Sequence, residues 1–82
     1  MQNIKVCVMD KRGLVYSGWL NDVRGDKLEI ITEESYDYLN RRMKEDYVKR
    51  EISWKDISYI RVSGLASEIK KMCQKIREEI KE

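Results

Sequence analysis

Leu14-Val15-Tyr16-Ser17-Gly18-Trp19-Leu20-Asn21-Asp22-Val23 is the stretch on which the fold turns. Tyr16, Gly18 and Leu20 share one parity, and Val15, Ser17 and Trp19 share the other. Period two with β-branched and aromatic residues predicts a strand. A glycine inside a strand pattern marks a bend or a close backbone approach. Bending a strand at mid-length is how a small sheet curls into a barrel. Trp19 falls on the face opposite Leu20, where it covers a second cluster or stands partly exposed.

Working outward, Ile4, Val6 and Val8 alternate with Lys5, Cys7 and Met9, and Asp10-Lys11-Arg12-Gly13 follows as a polar turn. Arg24-Gly25-Asp26 is a second turn, and Lys27 to Thr32 a third strand. Tyr47 to Ile52 alternates again, Ser53 to Asp56 turns, and Ile57 to Val62 is the fifth strand. Between them, residues 33–46 are ambiguous. Tyr36, Leu39 and Met43 sit at helical spacing behind a capping Ser35, which favours a helical turn or irregular insertion over a hairpin tip. From Leu65 to Glu82 the period changes to 3.6, with Leu65, Ile69, Met72, Cys73, Ile76 and Ile80 as one apolar stripe. The expected domain is mainly β with a C-terminal helix. A five-stranded barrel over 1–63 carries an insertion at 33–46, and an amphipathic helix at 64–82 completes the same unit.

The chain has 82 residues, enough for one domain with a small core that oligomerisation would help. Charged residues make up 39 % of it, but 17 basic against 15 acidic leave a net charge of only +2. That describes a solvated surface rather than a domain-wide polyanion site, so any nucleic-acid contact must be a local patch. With no histidine, a catalytic triad or histidine-ligated metal is excluded. Cys7 and Cys73 form no CxxC and are read as reduced thiols of a cytoplasmic protein. The first residues do not resemble a signal peptide, and no apolar run approaches membrane-spanning length.

Val6 and Val8, the turn at Gly13, Tyr16-Ser17-Gly18-Trp19-Leu20 and Val23 together resemble the first motif of the Sm-like, SH3-type small β-barrels. Ile52, Ile57, Ile60 and Val62 resemble that family's closing strands. The resemblance covers roughly residues 4–62 at the level of fold. It implies ring assembly and RNA binding. Arg24 stands where the family places Asp, and Arg24-Gly25-Asp26 offers no counterpart of its base-holding Asn, so the family's base pocket is not carried over.

Two sets of residues are candidates for function. Arg41, Arg42, Lys44, Lys49 and Arg50, with Tyr36, Tyr38 and Tyr47, could neutralise phosphates and stack on bases. Leu65, Ile69, Met72, Ile76 and Ile80 could pack on the domain's own barrel or form an interface with another chain. Adjacent acids such as Glu33-Glu34 and Glu78-Glu79 cannot converge as an acid–base pair, and no glycine loop cradles phosphate. The expectation is therefore a non-enzymatic module without cofactor or metal. It is a nucleic-acid-associated, RNA-directed regulator, or alternatively a protein-interaction or homo-oligomeric assembly module acting through the helix or a barrel edge.

Overall fold

Residues 3–80 are described by a computed structural model, apart from the side chains of residues 45, 46 and 80. Five strands precede one helix: β1 (Lys5–Asp10), β2 (Leu14–Val23), β3 (Lys27–Asp37), β4 (Arg42–Ser53), β5 (Ile57–Ser63) and α1 (Ala66–Ile80). A single 3-10 turn, Trp54–Asp56, joins β4 to β5. All pairings are antiparallel, in the order β4-β3-β2-β1-β5.

The order has a geometric consequence. In a flat sheet, the outermost strands of five would lie about 19 Å apart, four spacings of roughly 4.8 Å. Yet β4 ends at Ser53 and β5 begins at Ile57. Four residues reach at most about 14 Å, and less in a 3-10 turn. The sheet must therefore curl until the C-terminal end of β4 meets the N-terminal end of β5, although the register places them at opposite ends of the sheet. Trp54 fixes the curl from inside the turn: its backbone N–H donates to Asp26 C=O at 3.1 Å and its indole N–H to Arg24 C=O at 2.8 Å. On the other side Lys11 N–H donates to Asp56 C=O at 2.9 Å. Among the described residues no ladder joins these edges, so the sheet is open and curled and does not close into the expected five-stranded barrel.

Gly18 makes the bend possible. A Cβ there would lie 1.9 Å from the carbonyl oxygen of Ile31, and the β2–β3 register shifts between Ser17 and Gly18. Only a residue without a side chain allows β3 to approach so closely.

Residues 33–46 are not an insertion or a helical turn. They extend β3 and β4 into a long hairpin, with Tyr36 opposite Val15 of β2 and Met43 opposite Tyr36. The helical spacing of Tyr36, Leu39 and Met43 is a local signal. Pairing with β2 on one side and β4 on the other satisfies the backbone of this segment more fully than one isolated turn would.

The concave face of the sheet forms the core. Val6, Val8, Leu20, Val23, Leu28 and Ile30 are fully enclosed, joined by Ile52 from β4 and, partly, by Ile60 and Val62 from β5. The helix closes one end of this cavity. Met72 is only 2 % exposed and belongs to the core cluster, and Ile76 packs against it. Lys75 Nζ bonds Asp22 Oδ1 of β2 at 2.7 Å, which pins the helix beside the β2–β3 turn. Met72 is thus an intramolecular contact and unavailable to a partner. Ile69 and Ile76 are half-buried, while Leu65 and Cys73 are exposed. The side chain of Ile80 and residues 81 and 82 lie outside the described residues. Among the described residues no helix is long and apolar enough to cross a membrane.

Candidate nucleic-acid interface

At the end of the sheet away from the helix, two turns come together. The β1–β2 turn is organised by Asp10, which is buried and whose Oδ1 accepts the backbone N–H groups of Arg12 and Leu14, each at 2.9 Å. Its Oδ2 takes a bond from the Arg12 guanidinium at 3.2 Å. Gly13 completes the turn at φ +89, a conformation natural only to glycine. The β3–β4 tip is organised the same way by Asp37. Its carboxylate accepts the Asn40 side-chain amide at 2.6 Å and the Leu39 N–H at 3.0 Å. The Asn40 side chain, then the backbone N–H groups and Arg42, hold the Asp37 carboxyl below the usual carboxylate range. Arg41 closes this tip in the left-handed region, at φ 53.

Tyr38 N–H donates to Gly13 C=O at 3.2 Å and docks one turn on the other. Exposed Lys11 and Arg12 of the first turn thereby stand beside exposed Arg41 and Arg42 of the second, with Lys44 two residues inward along β4. Asp10 and Asp37 face into their own turns, where they accept backbone amides together with the Arg12 guanidinium and the Asn40 side chain, respectively.

The convex face of the sheet meets this basic end. Its register sets Met43, Tyr36, Val15, Met9 and Tyr59 side by side, one from each of the five strands. This apolar row spans the sheet from edge to edge. Met43 is 65 % exposed and Tyr59 48 % exposed. Tyr38 extends the row, meeting Tyr36 edge-on with ring centroids 4.7 Å apart. Two shallow depressions flank the row and share Cys7 and Val15 as their floor. The next row holds Glu34, Ser17, Cys7 and Arg61, and Arg61 Nε approaches the Tyr59 hydroxyl at 3.4 Å. One row further, Lys49, Ile31, Trp19 and Lys5 lie abreast; Lys5 Nζ sits 5.3 Å from the Trp19 ring centroid and pairs with Glu33, which accepts the indole N–H.

Of the residues chosen from sequence, the structure gathers Arg41, Arg42, Tyr36 and Tyr38 at one end, with Lys44 nearby. Lys49 lies two rows away on the convex face. Arg50 does not join them: its register partner is core Ile30, and its guanidinium lies over the Tyr16 ring at 5.4 Å on the concave side. Tyr47 is 79 % exposed and belongs to neither the basic end nor the apolar row. Sequence reasoning missed Lys11, Arg12, Tyr59 and Arg61. The signal was present in the basic turn after Asp10 and in the shared parity of Tyr59 and Arg61, but only strand order brings them beside Tyr36. The two cysteines are unbridged, and no cluster of metal-ligating side chains occurs among the described residues. Comparison with protein families, characterised proteins and solved structures finds no match to this chain.

Proposed function

We propose that this domain is a non-enzymatic module that binds single-stranded nucleic acid, with RNA the expected form. The reading rests on one juxtaposition: a row containing Tyr36 and Tyr59 runs into an end carrying Lys11, Arg12, Arg41 and Arg42. Bases stack on aromatic faces with little regard to sequence, and flanking cations take the phosphates. A duplex, its bases already stacked, would gain only the cations.

Fluorescence anisotropy with labelled single-stranded RNA, single-stranded DNA and duplex tests this. Single strands should bind most tightly. The logarithm of the affinity should fall with the logarithm of salt by roughly 0.7 for each phosphate neutralised. Arg12, Arg41 and Arg42 changed together to Glu should lower affinity at least about tenfold, and Lys49→Glu much less. Tyr36→Ala or Tyr59→Ala should each cost about 1–3 kcal/mol per stacked base. Binding that is flat across salt, or equal in the charge-reversed protein, would overturn the proposal.

A further inference from the structure

The two edges of the sheet are protected very differently. Seven of the twelve residues of β4 are charged, and its side chains would meet any incoming strand with a mixed charge pattern. In β5, Ile-Ser-Tyr-Ile-Arg-Val-Ser, one residue of seven is charged and none is proline. The β1–β5 register pairs Met9 with Tyr59 and Asp10 with Ile57, which leaves Ser58 as the extra residue and Tyr59–Ser63 as a straight ladder. No strand among the described residues pairs with its outer edge, Tyr59 and Arg61 are exposed, and Ile60 is half-buried. An edge of this kind is a template for another strand.

We infer that β5 pairs antiparallel with β5 of a second copy, about a two-fold axis at Ile60, to form a continuous ten-stranded dimer. The side chains select the register. A two-fold perpendicular to the sheet requires paired residues to share a face, so the straight ladder has two central registers. One sets Arg61 opposite Arg61 of the other copy, two like charges in direct opposition. The other sets Ile60 opposite Ile60, and twice sets Tyr59 opposite Arg61, where a guanidinium meets an aromatic face. Within one chain the Arg61 guanidinium already lies against the Tyr59 hydroxyl, so both groups are held on the convex side where the pairing needs them. Side-chain chemistry thus favours a second copy of this chain over an unrelated strand. A small domain with a limited core gains most from such an extension. Edge pairing consumes backbone groups and leaves Tyr36, Arg41 and Arg42 uncovered, but it shares Tyr59 with the proposed nucleic-acid row, so the dimer is tested on protein free of nucleic acid.

Sedimentation equilibrium over a concentration series, on nucleic-acid-free protein, should show a monomer–dimer equilibrium. Tyr59→Lys, which places Lys against Arg61 twice, should yield a folded monomer whose cooperative thermal transition no longer depends on protein concentration. Tyr59→Glu, which replaces each pair by an ion pair, should keep the dimer. With Cys7→Ser and Cys73→Ser as background, Ile60→Cys should form a disulfide-linked dimer on mild oxidation, since directly opposed Cα atoms lie about 4.5–5.5 Å apart. A monomer at all concentrations would overturn the inference. So would a larger ring, an association indifferent to residue 59, or the absence of the residue-60 cross-link in a protein that still dimerises.

Discussion

The two faces of this sheet are built from alternate residues of the same five strands, and they have opposite fates. The concave face places Val8, Tyr16, Leu20, Leu28 and Ile30 against one another and closes over them with Met72. The convex face places Met9, Val15, Tyr36, Met43 and Tyr59 in an equally continuous row, half-buried at Met9, Val15 and Tyr36 and exposed at Met43 and Tyr59. Hydrophobicity alone does not separate the two sets. Curvature does: a curled sheet brings concave side chains together and spreads convex ones apart, so only one face can pack on itself. This apolar row, together with the basic turns at its end, is what the proposed nucleic-acid binding rests on.

The largest expected effect comes from removing the curvature. Gly18→Val would place its Cβ inside the Ile31 carbonyl, and backbone cannot give way as a flexible side chain can. The variant should lose its cooperative thermal transition; a folded Gly18→Val protein would mean that β2 and β3 approach each other less closely than described. Next is Leu20→Ala on the concave face, expected to cost about 3–5 kcal/mol. That is a large share of the roughly 4–12 kcal/mol available to a domain of this length. Denaturant unfolding measures it.

Met72→Ala should follow at about 2–4 kcal/mol, because the residue is buried at the helix–sheet contact rather than on a free helix face. An effect near zero would show the helix to be undocked in solution. Val15→Ala, on the convex row, should cost under about 1 kcal/mol in stability while weakening oligonucleotide binding. If it destabilised as much as Leu20→Ala, the two faces would not differ as argued.

The smallest effect is electrostatic. Asp22 titrates below its usual value, mainly through its bond to Lys75, and Lys75 correspondingly above its own. A depressed carboxylate contributes stability above its unfolded pKa and loses it as pH falls through the folded one. A raised ammonium contributes below its unfolded pKa and loses it as pH rises through the folded one. The pair therefore supports the helix between these limits. Asp22→Asn should lower the melting temperature slightly at neutral pH and flatten its acid limb below about pH 4. Both side chains are partly solvent-exposed, which keeps the effect small.

Much of the fold was legible because strand alternation is a local property. The parity of Tyr16, Gly18 and Leu20 assigned the inner face of β2, and the change of period at Leu65 announced the helix. The segment 33–46 was misjudged for the same reason. Three apolar residues at helical spacing are a local signal, whereas the pairing that overrides it involves Val15 and Ser17, some twenty residues away. At the candidate site, Arg41, Arg42, Tyr36 and Tyr38 could be chosen by type. Arg50 could not be set aside, because its register against Ile30 is fixed by β3.

By itself, then, the sequence determined which side chains share a face, where the chain must bend and where helix replaces strand. These follow from side-chain period and from glycine's missing Cβ. Only the tertiary structure decided that the sheet remains open, that β4 and β5 are its edges, that Met72 turns inward, and that Lys11 and Arg12 stand beside Arg41 and Arg42. Each depends on strand order and curvature, which arise from contacts between residues far apart in the chain.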